Sequence, residues 1–197
     1  MQTRSLSPND RRVLMEVART SINHGLIYHR PYEPDVSGFG GQLVDPRASF
    51  VTLKLHGELR GCIGRLEADQ PLVRSVAYNA YAAAFRDPRF PPLTEPESRH
   101  VTVHISVLSP LEPIQFKDEP DLLRQIRPGV DGLVLEAGRC RGTFLPAVWE
   151  TIPDPKSFLE HLKVKAGLHP EADITGAKVM RYTCESIEQG DIETAVS

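Results

Sequence analysis

The sequence predicts an α+β fold, in which two β-hairpins build a mainly antiparallel sheet and about three longer helices pack against it. Two pairs of strand-like segments are each joined by a two-residue turn that contains glycine, at Gly57-Glu58 and Gly138-Arg139. The elements follow the order helix, two strands, helix, strand, short helix, two strands, helix, strand. Because two hairpins indicate a mainly antiparallel sheet, an α+β arrangement is favoured over a doubly wound parallel sheet.

Length and composition are those of an ordinary globular protein. The chain has 197 residues, 40% hydrophobic and 25% charged, with a net charge of −3. This length suits one domain over residues 1–197 that buries roughly 70% of its extended-chain surface, with room for a small second lobe. The charge argues against bulk nucleic-acid binding. Since no signal peptide or apolar run of ~20 residues is visible, we expect a cytoplasmic protein that is not inserted in a membrane.

The first helix is predicted to begin at Ser7, which is a good N-cap, with Pro8 in the first helical position. Its apolar residues recur at helical spacing through Ile22. Residues 30–49 then contain three prolines and three glycines, which predicts an irregular connection. A loop of this length is either a functional lid or a flexible linker.

The first hairpin, FVTLKLHGELRGCIG over residues 50–64, is the stretch around which the chemistry is predicted. If Gly57-Glu58 forms a type II′ turn, Leu55 faces Arg60 and Leu53 faces Cys62. Cross-strand partners point to the same side of a sheet, so Arg60 and Cys62 are expected on the apolar face of a central strand, with Cys62 mostly buried.

A guanidinium near a thiol favours the thiolate, which is the form needed by a nucleophile or a metal ligand. Gly61 and Gly64 flank Cys62 without side chains and leave its surroundings open to a ligand or another backbone. The simpler interpretation is that Cys62 is a small buried hydrophobic residue, as a lone cysteine in a strand often is.

The second helix is predicted from Pro71 to about Phe85, and its many alanines allow another element to approach closely. It ends in RDPRFPP, residues 86–92, whose prolines stiffen the segment and remove backbone donors. Taken alone, Asp87 and Arg89 here predict a surface ion pair.

The rest of the chain adds five more predicted features. These are a strand at 101–108, a short helix at 121–126, a second hairpin from 132–137 and 140–145, a helix from Asp154 to Gly167, and a last strand at 178–187.

Metal and cofactor chemistry find little support. Cys62, Cys140 and Cys184 contain no C-x2-C pair, which argues against a disulfide framework, a zinc ribbon or an iron–sulfur cluster. His100 and His104 lie about 13 Å apart along one strand, too far to share an ion. We therefore expect no metal and no cofactor.

His104, which faces away from the valines of its strand, is the best-placed base for a Cys62 nucleophile.

Four motifs together resemble the AMMECR domain family, in its bacterial and archaeal branch called AmmeMemoRadiSam system protein A. They are LRGCIG, FRDPRFPPLT at 85–94, SVLSP at 106–110 and TFLPAVWE at 143–150. The resemblance runs from about residue 8 to about 187. The biochemistry of the family is unassigned, but its association with a Memo-type dioxygenase-like protein and a radical SAM protein implies these two as partners in a shared pathway.

The resemblance also implies site residues. It makes Asp87 and Arg89 candidate ligand-binding residues, together with Thr143 in the second hairpin and Lys165, a cation for an anionic ligand, in the stretch that matches K-A-G-L. Relatives commonly carry a carboxylate or another residue at the position of His104, which weakens a Cys–His pair as the shared mechanism.

Two hypotheses for the function follow. In the first, the protein is an enzyme or enzyme subunit that uses Cys62, assisted by Arg60, on an unidentified small molecule. In the second, it is a non-catalytic binding or adaptor module whose LRGCIG and RDPRFPP segments form a recognition surface.

Overall fold

The computed structural model describes residues 5–189 and has an α+β fold, which confirms the predicted class. Its strands form two four-stranded, mainly antiparallel sheets. The helices are α1 (Pro8–Tyr28), α2 (Leu72–Phe85), α3 (Glu95–Ser98), α4 (Glu119–Gln125) and α5 (Pro155–Lys165). The strands are β1 (Ser49–Leu55), β2 (Glu58–Arg65), β3 (Val101–Leu108), β4 (Glu112–Ile114), β5 (Gly132–Ala137), β6 (Cys140–Phe144), β7 (Lys178–Tyr182) and β8 (Cys184–Glu188).

The chain divides into two compact units, each built around one sheet. Within the described range, the first unit contains residues 5–108 and 185–189, and the second contains 109–184. The first sheet has the strand order β2-β1-β3-β8 and the second has the order β4-β7-β5-β6. That residues 1–197 act as one domain stays a prediction.

Helices α1 and α2 pack side by side in the first unit and run in the same direction. The hydroxyl of Ser21 donates to the carbonyl of Ala77, and one turn later Gly25 lies against the rings of Tyr81 and Phe85. As predicted, Ser7 caps α1, and Asp10 completes a capping box with it. Both helices therefore end at the same side of the first unit.

The alanine-rich helix α2 approaches β2 closely, as its composition predicts. Gly61 lies so near this helix that a Cβ atom on it would come within 2.0 Å of the carbonyl oxygen of Ala83. The bare backbone of Gly61 and the small alanine side chains of α2 thus set the distance between strand and helix.

The predicted register of the first hairpin is wrong. Its turn is His56-Gly57, where both residues have positive φ angles of 53° and 88°, as a type I′ turn requires. A bulge then leaves Arg60 without a partner, so that Leu53 faces Gly61 and Thr52 faces Cys62. Because a one-residue slip exchanges the two faces, Cys62 does not share the apolar face of Leu53. Strand β2 is also an outer strand of its sheet, and Cys62 is only half-buried.

The second unit confirms its predicted hairpin, since Ala137 pairs with Cys140 around Gly138-Arg139. Its core includes Trp149, whose ring stacks on Phe158 at a centroid distance of 3.7 Å. Asp154 caps α5 as predicted.

The last predicted strand, 178–187, is in fact two strands, β7 in the second sheet and β8 in the first. The backbone between them leaves the ladder at Thr183, whose N–H and C=O bond to the hydroxyl and the N–H of Ser109.

The irregular connection at 30–49 is confirmed as irregular and contains two single-turn 3₁₀ helices, Val36–Gly38 and Gly41–Leu43. Leu43 is buried, and Phe39 packs against the core of the first unit. Within residues 5–189, no helix is long and apolar enough to cross a membrane.

We expect Gly61→Ala to lower the free energy of unfolding by about 3 kcal/mol, because the added methyl group meets backbone that cannot move aside. Urea denaturation followed by circular dichroism measures this loss. Gly38→Ala is the matched control, since a Cβ there meets nothing within 4 Å and the backbone is not left-handed. Equal stability of the two variants would contradict the close approach of α2.

Candidate functional site

The backbone of Cys62 is held at the outer edge of β2 by the segment that follows α2. Its N–H donates to the carboxylate of Asp87 at 2.9 Å, and its carbonyl accepts from the guanidinium of Arg89 at 3.4 Å. Asp87 and Arg89 thus supply the acceptor and the donor that a neighbouring strand would otherwise provide. The structure therefore brings together three of the sequence-predicted site residues.

Asp87 is buried, with 4% of its surface exposed, and its carboxylate is fully engaged. One oxygen accepts from Cys62 N–H and from the Arg89 guanidinium at 2.7 Å, and the other accepts from Arg89 Nε and N–H at 3.0 and 3.1 Å. The hydrogen bond from the Arg89 side chain is the main cause of a lowered pKa for the Asp87 carboxyl group, and it outweighs the opposing effect of burial. Asp87 is therefore a fixed anion.

Arg60 pairs with a residue that the sequence analysis did not single out. Its Nε and Nη2 each lie 3.0 Å from one carboxylate oxygen of Glu97, a bidentate pair, and Arg60 is 7% exposed. Glu97 also accepts from the N–H and hydroxyl of Thr94, which completes the capping box of α3. Arg60 does not pair with Asp87, because the bulge directs its guanidinium toward α3.

The hydrogen bonds from Arg60 are the main cause of the lowered pKa of Glu97, which falls from the usual 4.5 to about 2. Arg60 Nη1 is buried and has no hydrogen-bond partner among the described residues. The pair thus combines a strong bidentate contact with one unsatisfied donor.

Phe90 links the two ion pairs. The Cζ atoms of Arg60 and Arg89 lie 5.9 and 5.5 Å from the centroid of its ring, within the range of cation–π attraction. Phe90 is half-buried, whereas Arg89 is mostly exposed. These two side chains give the segment an aromatic and a cationic surface.

The thiol of Cys62 accepts a hydrogen bond from the hydroxyl of Thr52 at 3.2 Å. His104 faces Thr52 from the other neighbouring strand, so Thr52 stands between the thiol and the imidazole. At the usual strand spacing, the backbones of Cys62 and His104 are about 10 Å apart. Nδ1 of His104 instead lies 3.5 Å from Glu188, and the structure does not bring the predicted base to the thiol.

The two glycines beside Cys62 accommodate parts of the protein itself. Gly61 faces the backbone of Ala83, and a Cβ on Gly64 would lie 2.2 Å from the ring of Phe50. The space beside Cys62, predicted to be open to a ligand or another backbone, is therefore filled by the backbone of Ala83 on one side and by the ring of Phe50 on the other.

Thr143 and Lys165 lie in the second unit. The hydroxyl of Thr143 donates to the carbonyl of Leu133 at 2.9 Å and lies 2.9 Å from the Tyr182 hydroxyl. The ammonium of Lys165 lies 4.9 Å from the ring centroid of Phe144. Across the described part of the chain, no group of three or more His, Cys, Asp or Glu side chains is arranged to hold a metal ion.

Glu97 and Thr52 are the contact residues that sequence reasoning missed. The signal for Glu97 is present in Thr94-x-x-Glu97, the spacing of a capping box, which marks Glu97 as a helix-capping carboxylate. The role of Thr52 depends on the true register of the hairpin and carries no local signal.

Comparison with known proteins identifies the family. The AMMECR1 family profile matches residues 15–187. The chain belongs to the AMMECR1 family. It is 38% identical over 177 residues to a protein of Methanothermobacter thermautotrophicus, covering 87% of this chain and 89% of that one. A Methanosarcina barkeri protein is 39% identical over 171 residues, with 85% and 84% covered.

A solved structure has the same fold. The crystal structure of the uncharacterized protein PH0010 from Pyrococcus horikoshii matches with a TM-score of 0.79 and 34% identity, covering 88% of each chain.

The depressed pKa of Glu97 predicts an acid-sensitive contribution to stability. Because the folded pKa, about 2, lies below the ordinary 4.5, this contribution is present above pH 4.5 and is lost as the pH falls toward 2. Unfolding free energies measured across this range should fall less steeply in Glu97→Gln than in the wild type. Arg60→Ala should show the same shallower slope, since it removes the main cause of the shift, and a wild-type slope in both variants would refute the pairing.

Proposed function

We propose that this AMMECR1-family protein is a binding module, and that residues 59–64 and 86–92 together form its recognition surface. The observation that carries this proposal is the hydrogen bond between Cys62 N–H and buried Asp87, which fixes the two segments to each other. A surface held in one conformation loses little entropy when it binds a partner.

The charges of this surface favour a protein over a small anion as the ligand. Asp87 balances Arg89, and Glu97 balances Arg60, so the surface has an excess of only one positive charge, that of Arg86. What it offers instead is an arginine and a phenylalanine beside prolines, and arginine and aromatic residues are enriched where proteins bind each other.

Chemistry at Cys62 is the second candidate function, and the hydrogen bond from Thr52 favours it. The bond holds the sulfur in one orientation, and a reacting group has to be held in place. Two features weigh against catalysis. The N–H of Cys62 is already bound to Asp87 and is not free to stabilise an oxyanion, and His104 lies beyond Thr52.

The family resemblance supplies the candidate partners. We infer that the protein acts with a Memo-type dioxygenase-like protein and a radical SAM protein, and that one of them binds the surface around Phe90. Any iron–sulfur cluster in such a system belongs to the radical SAM partner.

We expect Phe90→Ala and Arg89→Ala each to weaken binding to a partner at least tenfold, because aromatic and arginine side chains dominate the binding energy of protein interfaces. Isothermal titration calorimetry with the purified Memo-type and radical SAM proteins of the same organism measures this change. Tyr78→Ala is the matched control, since Tyr78 is an exposed aromatic residue on α2 outside the two segments.

Cys62→Ser separates the two functions. If it keeps both the partner affinity and the output of the pathway, the binding module stands and Cys62 catalysis is excluded. If pathway output is lost while affinity is unchanged, the cysteine performs chemistry. Wild-type affinity in both Phe90→Ala and Arg89→Ala would overturn the proposed surface.

A further inference from the structure

Two histidines lie opposite each other at one end of the first sheet. The ladder between β1 and β3 ends with the pair of Leu55 and Val101, so His56 and His100 are the next residues to come opposite each other. Side chains directly opposite each other across an antiparallel pair have Cβ atoms ~5 Å apart. The two imidazole rings accordingly lie side by side, with their centroids 6.1 Å apart and their planes inclined by 29°. Sequence spacing compares His100 with His104, whereas the sheet places it beside His56.

The backbone holds both histidines in place. His56 is the first residue of the hairpin turn and has a left-handed φ of 53°. The N–H of His100 donates to the carbonyl of Glu97 at 2.9 Å, directly before β3 begins. The two rings can therefore approach a common ion by side-chain rotation alone.

The nitrogens of both rings are available to a ligand. Within residues 5–189, neither the His56 ring nor the His100 ring forms a hydrogen bond or an ion pair, and both side chains are exposed. A neutral imidazole has one nitrogen lone pair that can accept a hydrogen bond or bind a metal. Four other histidines already have a ring nitrogen in polar contact with a described residue: His24, His104, His161 and His169.

The geometry and charge of the pair suit a metal ion. An imidazole nitrogen binds Zn²⁺ at ~2.1 Å, so the centroids of two rings on one tetrahedral ion lie roughly 5 to 6 Å apart. A small rotation of either ring brings the observed separation of 6.1 Å into this range. The neighbouring charges nearly cancel, because Arg99 is paired with Glu95, and Lys54 and Glu58 flank His56 with opposite signs.

We propose that His56 and His100 together bind a divalent transition-metal ion for which imidazole is a preferred ligand, such as Zn²⁺. No group of three or more His, Cys, Asp or Glu side chains is arranged around an ion in the described part of the chain, so the pair supplies only two of the four ligands of zinc. The other two positions are open to solvent, or to a carboxylate or imidazole of a bound molecule. The site is therefore exchangeable and is not a structural centre.

This proposal goes beyond the proposed function and does not depend on it. Neither histidine belongs to residues 59–64 or 86–92, and the probe is the metal ion alone. A failure of the zinc site therefore leaves the recognition surface standing, and wild-type partner affinity in the Phe90 and Arg89 variants leaves the zinc site standing.

Isothermal titration calorimetry of the metal-free, full-length protein with Zn²⁺ tests the site. We expect His56→Asn and His100→Asn each to bind zinc about tenfold or more weakly than the wild type, since each removes one of the two protein ligands. Asparagine tolerates the left-handed conformation of residue 56, and both positions are exposed, so neither variant endangers the fold. His161→Asn is the matched control, because the exposed ring of His161 on α5 lies against the carbonyl of Ser157 and should leave zinc affinity unchanged.

Nitrogen-15 spectra of the imidazole rings locate the ion independently of affinity. On addition of Zn²⁺ to the wild-type protein, the ring nitrogens of His56 and His100 should shift, while those of His161 stay in place. Wild-type affinity in either His56→Asn or His100→Asn, shifts confined to other histidines, or no zinc binding by the wild type would overturn the proposal.

Discussion

The first unit depends on one constraint: the outward N–H and C=O of Cys62, on an outer strand, need partners. Asp87 supplies the acceptor for this N–H, and Arg89 supplies the donor for this C=O. The alanines of α2 and the bare Gly61 let the end of the helix approach β2 closely enough for Asp87 to reach the strand. The segment then turns at residues 87–90, where the N–H of Phe90 donates to the carbonyl of Asp87, and its prolines have no backbone N–H of their own.

A second constraint is that buried charges need partners of opposite sign. Asp87 and Arg60 are both buried, and each is matched by a more exposed residue, Arg89 and Glu97. Removing one member of a buried pair typically costs about 3 to 5 kcal/mol, because the other is left uncompensated. The two pairs neutralise Arg60 and Arg89 beside Phe90, which supports the proposed binding surface over a pocket for a small anion.

Much of the fold was predictable from local signals, whereas the details of the site were not. The caps at Ser7 and Asp154 and the turn at Gly138-Arg139 follow from local residue preferences, and the alanines of α2 correctly indicate close packing. The register predicted for the first hairpin was wrong because His56 adopts a left-handed conformation and Arg60 forms a bulge. Each of these effects involves a single residue, and together they decide which face of the sheet Cys62 occupies. The partner of Arg60 lies 37 residues away, and such a contact is fixed by tertiary packing.

Amide hydrogen exchange at Cys62 tests the central claim most directly. An unpaired amide on an outer strand exchanges quickly, so its protection reports the bond to Asp87. We predict slow exchange of the Cys62 amide in the wild-type protein and markedly faster exchange in Asp87→Ala, which removes the acceptor, while the amide of Val103 on the inner strand β3 keeps its protection. A Cys62 amide that exchanges equally fast in both proteins would contradict the account, because the two segments would then not be joined at this point.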